Sequence, residues 1–325
     1  MRKCHAAMAA TAVALMASGA AQSQTNKIDY PKRPVRLIVA QSPGGNADFV
    51  ARLLAGELGK RLGQQFVVDN RPGGSGIIAA DVTVHAPADG YTLLLVGSSF
   101  GTNPSLRKLP YDPLKDLAPI TLASNAPNIL VVNPSLPVFA VKDLVALARA
   151  KPGQLNYGSS ATGGSTHLAG ELFDLMAKTR MIHIPYKGAA LALTEVMAGQ
   201  IQLSFASMPS VMAHVRSGKL RAIAVTSAKR SALVPELPTI AESGLPGFET
   251  GAWQGIFAPR ATPAAIVGLL NRELVAIVQT PEVRKAYAVE GGEPVGNSPE
   301  EFARWLHVEI AKWAKVVKAA NIRVE

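Results

Sequence analysis

Two glycine- and hydroxyl-rich segments hold the residues best suited to chemistry. The first is Ser42-Pro43-Gly44-Gly45-Asn46, placed between an apolar run and a helical pattern. The second is Gly158-Ser159-Ser160-Ala161-Thr162-Gly163-Gly164-Ser165-Thr166, in the same kind of position. Glycine lets a backbone approach a ligand closely and expose its N–H groups. A helix start adds unpaired donors and the positive end of the helix dipole. Both segments therefore favour an anion, and the second adds at least four hydroxyls. The plainer reading is that Gly/Ser loops before helices are capping turns. Finding two in matching positions is what raises ligand binding beside it.

Other constellations are weaker. Gly74-Ser75-Gly76-Ile77-Ile78-Ala79 fits a dinucleotide fingerprint only formally, and a tight turn that packs a helix on a sheet accounts for it. Ser159, His167 and Asp174 could be imagined as a hydrolase triad. There is no Gly-x-Ser-x-Gly elbow, and His167 and Asp174 stand seven residues apart on one helix. The six histidines show no metal-ligand spacing, so neither metal nor cofactor is expected. Trp253 is open between core and an aromatic cleft wall.

These loops need strands and helices behind them, and the pattern supplies both. Short β-branched runs alternate with helical patterns, which predicts an α/β fold with largely parallel strands. Strands are expected at 35–40, 65–69, 91–96, 129–133, 156–158, 181–184, 202–205 and 220–226. Helices are expected at 49–62, 77–85, 141–150, 166–178, 190–198, 209–217, 262–279, 281–289 and 299–320. In open α/β sheets ligands sit beyond the carboxyl ends of the strands, where both loops fall. Helices with few strands at the end suggest that the chain returns to complete its first domain. The expected division is 24–124 and 247–325 for one domain and 125–246 for the other, with two crossings and a cleft between.

The N-terminus narrows the setting. Arg2 and Lys3 precede an alanine-rich apolar stretch and then small residues, the order of a secretory signal peptide over residues 1–23. The apolar stretch is too short to span a bilayer, so no membrane insertion is expected. The only cysteine, Cys4, lies before that stretch, so the mature chain has neither a disulfide framework nor a cysteine nucleophile. The formal charge of +10 falls to +8 without Arg2 and Lys3. The basic residues are scattered, and an exported protein meets little nucleic acid, so none is expected as a partner. A positive field would help collect anionic solutes.

Several motifs resemble those of the Bug proteins, the substrate-binding receptors of tripartite tricarboxylate transporters. In the first domain they are Ser42-Pro43-Gly44-Gly45-Asn46-Ala47-Asp48, Asn70-Arg71-Pro72-Gly73-Gly74-Ser75-Gly76 and Ala88-Asp89-Gly90-Tyr91-Thr92-Leu93-Leu94. In the second they are Leu155-Asn156-Tyr157-Gly158-Ser159-Ser160, His167-Leu168-Ala169-Gly170-Glu171 and Pro185-Tyr186-Lys187-Gly188. Leu220-Arg221-Ala222-Ile223-Ala224-Val225-Thr226 and Leu237-Pro238-Thr239 follow. The match runs in order through nearly the whole mature chain.

The resemblance implies a two-domain type II periplasmic-binding-protein fold that closes on its ligand. It implies a non-enzymatic, monomeric periplasmic receptor for a small carboxylate (a di- or tricarboxylate or an aromatic acid), delivered transiently to membrane permease subunits. Carried over residue by residue, it marks Ser42, Gly44, Gly45 and Asn46 with Ser159, Ser160, Thr162, Ser165 and Thr166, and Gly163 of the same loop is a candidate beside them. Asn46-Ala47-Asp48 departs from the family's usual Gly-Thr-Asp or Pro-Thr-Asp continuation. Where many relatives carry an acid after a strand, this chain has Ala206 and then Ser207, which makes a ligand amino group a weaker requirement. Ser98, Ser99 and Phe100 stand at a strand end and could line the cleft, with Phe100 open between a ligand wall and a buried wedge. The rival readings are a sensor that docks on a signalling protein and a secreted hydrolase, which needs a nucleophile–base pair in the cleft.

Overall fold

The computed structural model describes residues 29–160, 163–186 and 188–322. The expected signal peptide and Thr162 lie outside the described residues. Along the chain the elements are β1 (Val35–Val39), α1 (Asn46–Leu62), β2 (Phe66–Asn70), α2 (Ile77–Val84), β3 (Thr92–Gly97), α3 (Ser99–Leu106), β4 (Leu117–Val132), α4 (Val141–Ala150), β5 (Asn156–Ser159) and α5 (Ser165–Ala177). They continue with β6 (Ile182–Pro185), α6 (Ala189–Met197), β7 (Leu203–Ser207), α7 (Met208–Arg216), β8 (Arg221–Val225), β9 (Gly251–Pro259), α8 (Ala264–Val278), α9 (Pro281–Val289) and α10 (Pro299–Ala319).

Local chemistry accounts for the element ends. Helix α1 carries Lys60 and Arg61 in its last turn and stops at Gly63, whose positive φ of 71° suits glycine. Helix α10 opens with Pro299 after Ser298, and Ser298 and Glu301 form a capping box. Gly76, at φ 91°, brings its backbone against Ala40, so the Gly-Ser-Gly segment is the tight turn that packs α2 on the sheet.

The strands form one continuous path, β2-β1-β3-β9-β4-β7-β5-β6, with β8 also on β4. Helices α1 and α8 cover one face of its first half through Val50, Leu54, Leu58, Leu270 and Leu274. Helices α2, α3 and α10 cover the other through Ala79, Phe100, Phe302 and Leu306. The second half is sandwiched the same way, by Leu144, Leu168 and Phe173 on one face and by Leu193, Val196 and Val211 on the other.

The expectation of largely parallel strands needs correction at the centre. β9 runs antiparallel to β3 and β4, and β4 runs antiparallel to β7, β8 and β9. The reason is mechanical: β4 carries the chain out of the first domain and β9 brings it back, so the two must oppose. The expected change of domain at residue 125 falls inside β4, which runs unbroken from Leu117 to Val132. The C-terminal helix also crosses. Phe302 and Leu306 belong to the first domain's core, while Trp313 and Val316 belong to the second's.

Candidate ligand site

The register of the central strands locates the cleft. Gly97, at the carboxyl end of β3, pairs with Gln254, which pairs with Ser124 of β4. Ser207, at the carboxyl end of β7, pairs with Asn128 of β4. β1 runs parallel to β3, and β5 runs parallel to β7. The loops that leave β1 and β3 in one domain, and β5 and β7 in the other, therefore face each other across residues 124–128.

The first-domain loop is built on an acid. Asp48 is buried, and its Oδ2 accepts the Gly44 N–H at 2.9 Å and Arg52 Nε at 2.9 Å. Its Oδ1 accepts Asn70 Nδ2 at 3.0 Å, and the same Nδ2 donates to the Gln41 carbonyl at 3.0 Å. The hydrogen bond from Arg52 and then that from Gly44 hold its carboxyl down to about 2. Asn46 Oδ1 accepts Gln254 Nε2 at 3.1 Å, which ties the start of α1 to the returning strand. The N-cap of α1 is Gly45, with no side-chain cap, so the donors of its first turn stay open.

The second-domain loop rests on aromatic and acidic groups. Ser160 N–H donates to Thr166 Oγ1 at 3.1 Å, and Gly163 N–H donates to His167 Nδ1 at 2.9 Å. Ser159 Oγ lies 2.6 Å from His183 Nε2, and the two imidazoles stack 3.7 Å apart. Burial and then the neighbouring His167 push the His183 ring down to about 4, so it is neutral at pH 7. Glu171 accepts Tyr157 Oη at 2.6 Å. Burial alone would raise its carboxyl; hydrogen bonds from His167 and Tyr157 outweigh that and hold it low. The N-cap of α5 is Gly164, again with no side-chain cap.

The structure brings most of the expected residues to the cleft and withdraws three side chains from it. Ser42, Gly44 and Gly45 are exposed, with Asn46 half-buried beside them. Opposite them Ser160, Gly163 and Ser165 are half-buried, Thr166 is buried under the loop, and Ser207 is exposed at the start of α7. Ser99 is half-buried at the start of α3. Phe100 is 2% exposed, stacked with Tyr111 at 6.2 Å and against Phe257 at 5.1 Å. It is a core wedge, because its place on α3 points it into the apolar layer under the sheet. Ser98 Oγ donates to the Gly251 carbonyl and accepts the Trp253 N–H, so it is spent on joining β3 to β9. Ser159 is 1% exposed and lies beneath the loop. Trp253 is core as well, edge-on to Phe302 and Trp305.

Sequence reasoning missed four contributors. Asp48 and Asn70 brace the first loop, and both stand in quoted motifs without a role attached. Gln254 and Asn128 are buried where the two crossing strands meet the cleft. Gln254 Oε1 and Asn128 Nδ2 have no protein partner. No local signal marked these two amides, because the strands that bury them were not legible in the sequence.

The imagined hydrolase triad is not assembled. Asp174 accepts Thr179 Oγ1 and the Met181 N–H, and His167 is engaged with Gly163 and Glu171. Ser159 does meet a histidine, His183, but its burial leaves no room for a substrate carbonyl. Among the described residues no cluster of His, Cys, Asp or Glu is placed to hold a metal, and no helix is long and apolar enough to cross a membrane. A cavity of about 460 Å³ lined by Leu117, Phe257, Arg260 and Val267 lies at the far ends of β4 and β9, away from the cleft.

Residues 50–322 match the family model described as tripartite tricarboxylate transporter family receptor. The chain belongs to the tripartite tricarboxylate transporter receptor family. The receptor is 38% identical over 299 residues to the protein BugT of Bordetella pertussis, covering 91% of this chain and 92% of that one. Among solved structures it is similar to an R. palustris protein with adipate, Rpa4515, at 41% identity and a TM-score of 0.74, over 91% of this chain and 99% of that one. MatC from Rhodopseudomonas palustris with bound malate gives 30% identity and a TM-score of 0.69, over 89% of this chain and 100% of that one. A ligand-free solute-binding protein of the same family from Polaromonas gives 27% and 0.82, over 89% and 99%. The receptor thus has the two-domain α/β fold of periplasmic solute-binding proteins.

Proposed function

We propose that this receptor is exported by its N-terminal segment and captures a small carboxylate in the cleft as a monomer. It then delivers that ligand transiently to the membrane subunits of a permease and performs no chemistry on it. One observation carries the reading. Two helix starts, α1 and α5, face each other across the cleft, each with a glycine N-cap and no side chain occupying its first-turn donors. A carboxylate between them would meet N–H and hydroxyl groups from both domains, with the dipoles of both helices aimed at it. Adipate and malate, held by two relatives, are both dicarboxylates.

The reading includes closure of the domains on the ligand. The test is a thermal-shift screen of carboxylates, adipate and malate first, each beside its methyl ester. At a hundredfold excess over Kd the acid should add about 2.7 kcal/mol, a rise of about 4 °C in Tm. Equal stabilisation by acid and ester would refute anion capture.

A further inference from the structure

The two ligand loops share a device that their sequences disguise. In the first, Gly44 has φ +82°, Gly45 is the N-cap, and the third helical residue, Asp48, accepts the Gly44 N–H at 2.9 Å. In the second, Gly163 has φ +76°, Gly164 is the N-cap, and the third helical residue, His167, accepts the Gly163 N–H at 2.9 Å. In each, the residue one helical turn further on backs the acceptor. Arg52 Nε donates to Asp48, and Glu171 Oε1 lies 3.4 Å from His167 Nε2. The charge order is reversed: acid then cation in α1, imidazole then acid in α5.

We propose that His167 is the positioning residue of the second-domain loop, doing for Gly163 what Asp48 does for Gly44. The inference rests on the reading of that loop as a ligand site. The Gly163 N–H needs the Nδ1 lone pair, so the ring proton sits on Nε2, where it meets Glu171. Glu171 is in turn held by Tyr157 Oη at 2.6 Å, and His183 stacks on the free face of the ring at 3.7 Å. With Gly163 fixed, the uncapped donors of the first turn of α5 are set in place before the ligand arrives. An acid at 167 would instead put a second carboxylate beside Glu171 and beneath the anion. An imidazole with the acid behind it supplies the acceptor without a second carboxylate.

Two amide substitutions separate the ring's two bonds. His167→Asn places an amide oxygen where Nδ1 sits, so it can hold Gly163 but does not reach Glu171. His167→Gln places its amide near Nε2, so it can meet Glu171 but leaves the Gly163 N–H without a partner. Calorimetry with adipate and malate, and amide hydrogen exchange at Gly163 in the ligand-free protein, read the outcome. His167→Asn should bind within about threefold of the unmodified protein and keep Gly163 protected. His167→Gln should bind at least about tenfold more weakly and exchange Gly163 at least about tenfold faster, the loss of one hydrogen bond to a loop that must be pre-formed. If His167→Gln binds normally, or if affinity in the two variants follows their melting temperatures instead of Gly163 protection, the proposal is overturned. If the unmodified protein binds no carboxylate of the screen, the functional reading is what fails. Gly163 exchange in the two ligand-free variants then still decides whether His167 sets the loop.

Discussion

Replacing Asp48 by asparagine tests the brace under the first loop. Asp48 takes three donors: Gly44 N–H and Arg52 Nε on one oxygen, Asn70 Nδ2 on the other. Asparagine offers a single oxygen. If it faces Gly44 and Arg52, its NH2 meets the NH2 of Asn70. If it faces Asn70, its NH2 meets Gly44 and Arg52. Asn70 cannot turn over without cost, because its Nδ2 also holds the Gln41 carbonyl and its Oδ1 accepts Arg52 Nη2 at 3.3 Å. At least one hydrogen bond to a charged group is lost and one donor is stranded, so stability should fall by about 1.5–3 kcal/mol. That is a drop of about 2–5 °C in Tm. Because Arg52 and Gly44 lower the Asp48 carboxyl to about 2, its contribution is full above the ordinary value of 3.8 and is lost as pH falls through about 2. Urea melts at pH 7 and thermal melts between pH 7 and 2 should therefore show a gap between the two proteins that narrows in acid. A variant as stable as the parent at pH 7, or a gap that stays constant to pH 2, would refute the assignment.

Two further outcomes follow from side-chain positions. Phe100→Ala should cost about 3–5 kcal/mol in denaturant melts, since it empties a site between Tyr111 and Phe257, and should leave carboxylate affinity in the folded protein unchanged; a selective loss of affinity would return Phe100 to the cleft wall. His183 has its pKa depressed by burial and by His167, so its contribution is present above about 6.5 and lost as pH falls towards about 4. The partly exposed ring limits that contribution to about 1–2 kcal/mol, and His183→Gln should flatten stability over this interval; an unchanged slope between pH 6.5 and 4 would contradict it.

The elements that were legible in the sequence are those with local signals. Val141–Ala150 and Pro281–Val289 form helices at the expected residues, because apolar spacing, Pro281 at the first turn and a charged outer face all act within a few residues. The two loops were legible as helix starts for the same reason: paired glycines followed by a helical pattern are a local signal. β9 was missed, and so was the first half of β4. Their sequences carry proline, glycine and polar residues, and they become strands by pairing with each other over the span from Leu117–Pro259 to Pro127–Gly251. Helix α3 was missed because Gly101 and Pro104 argue locally against it, while its packing on α10 holds it in place.

The sequence alone determined that this chain alternates strands and helices, that its first residues follow the order of a signal peptide, and that two helices begin at glycine-rich segments. These are properties of short stretches, set by periodicity, turn residues and capping. Only the tertiary structure decided which hydroxyls reach the cleft. Ser98, Ser159 and Ser160 look alike along the chain. Ser98 is spent on joining β3 to β9, Ser159 is turned down onto His183, and Ser160 remains at the loop surface. It also decided that Asp48 and His167, of unlike side-chain chemistry, each accept the N–H of the glycine before their helix's N-cap. A hydrogen bond is selected by distance and direction, and both are settled only when strands and helices far apart in the chain have packed.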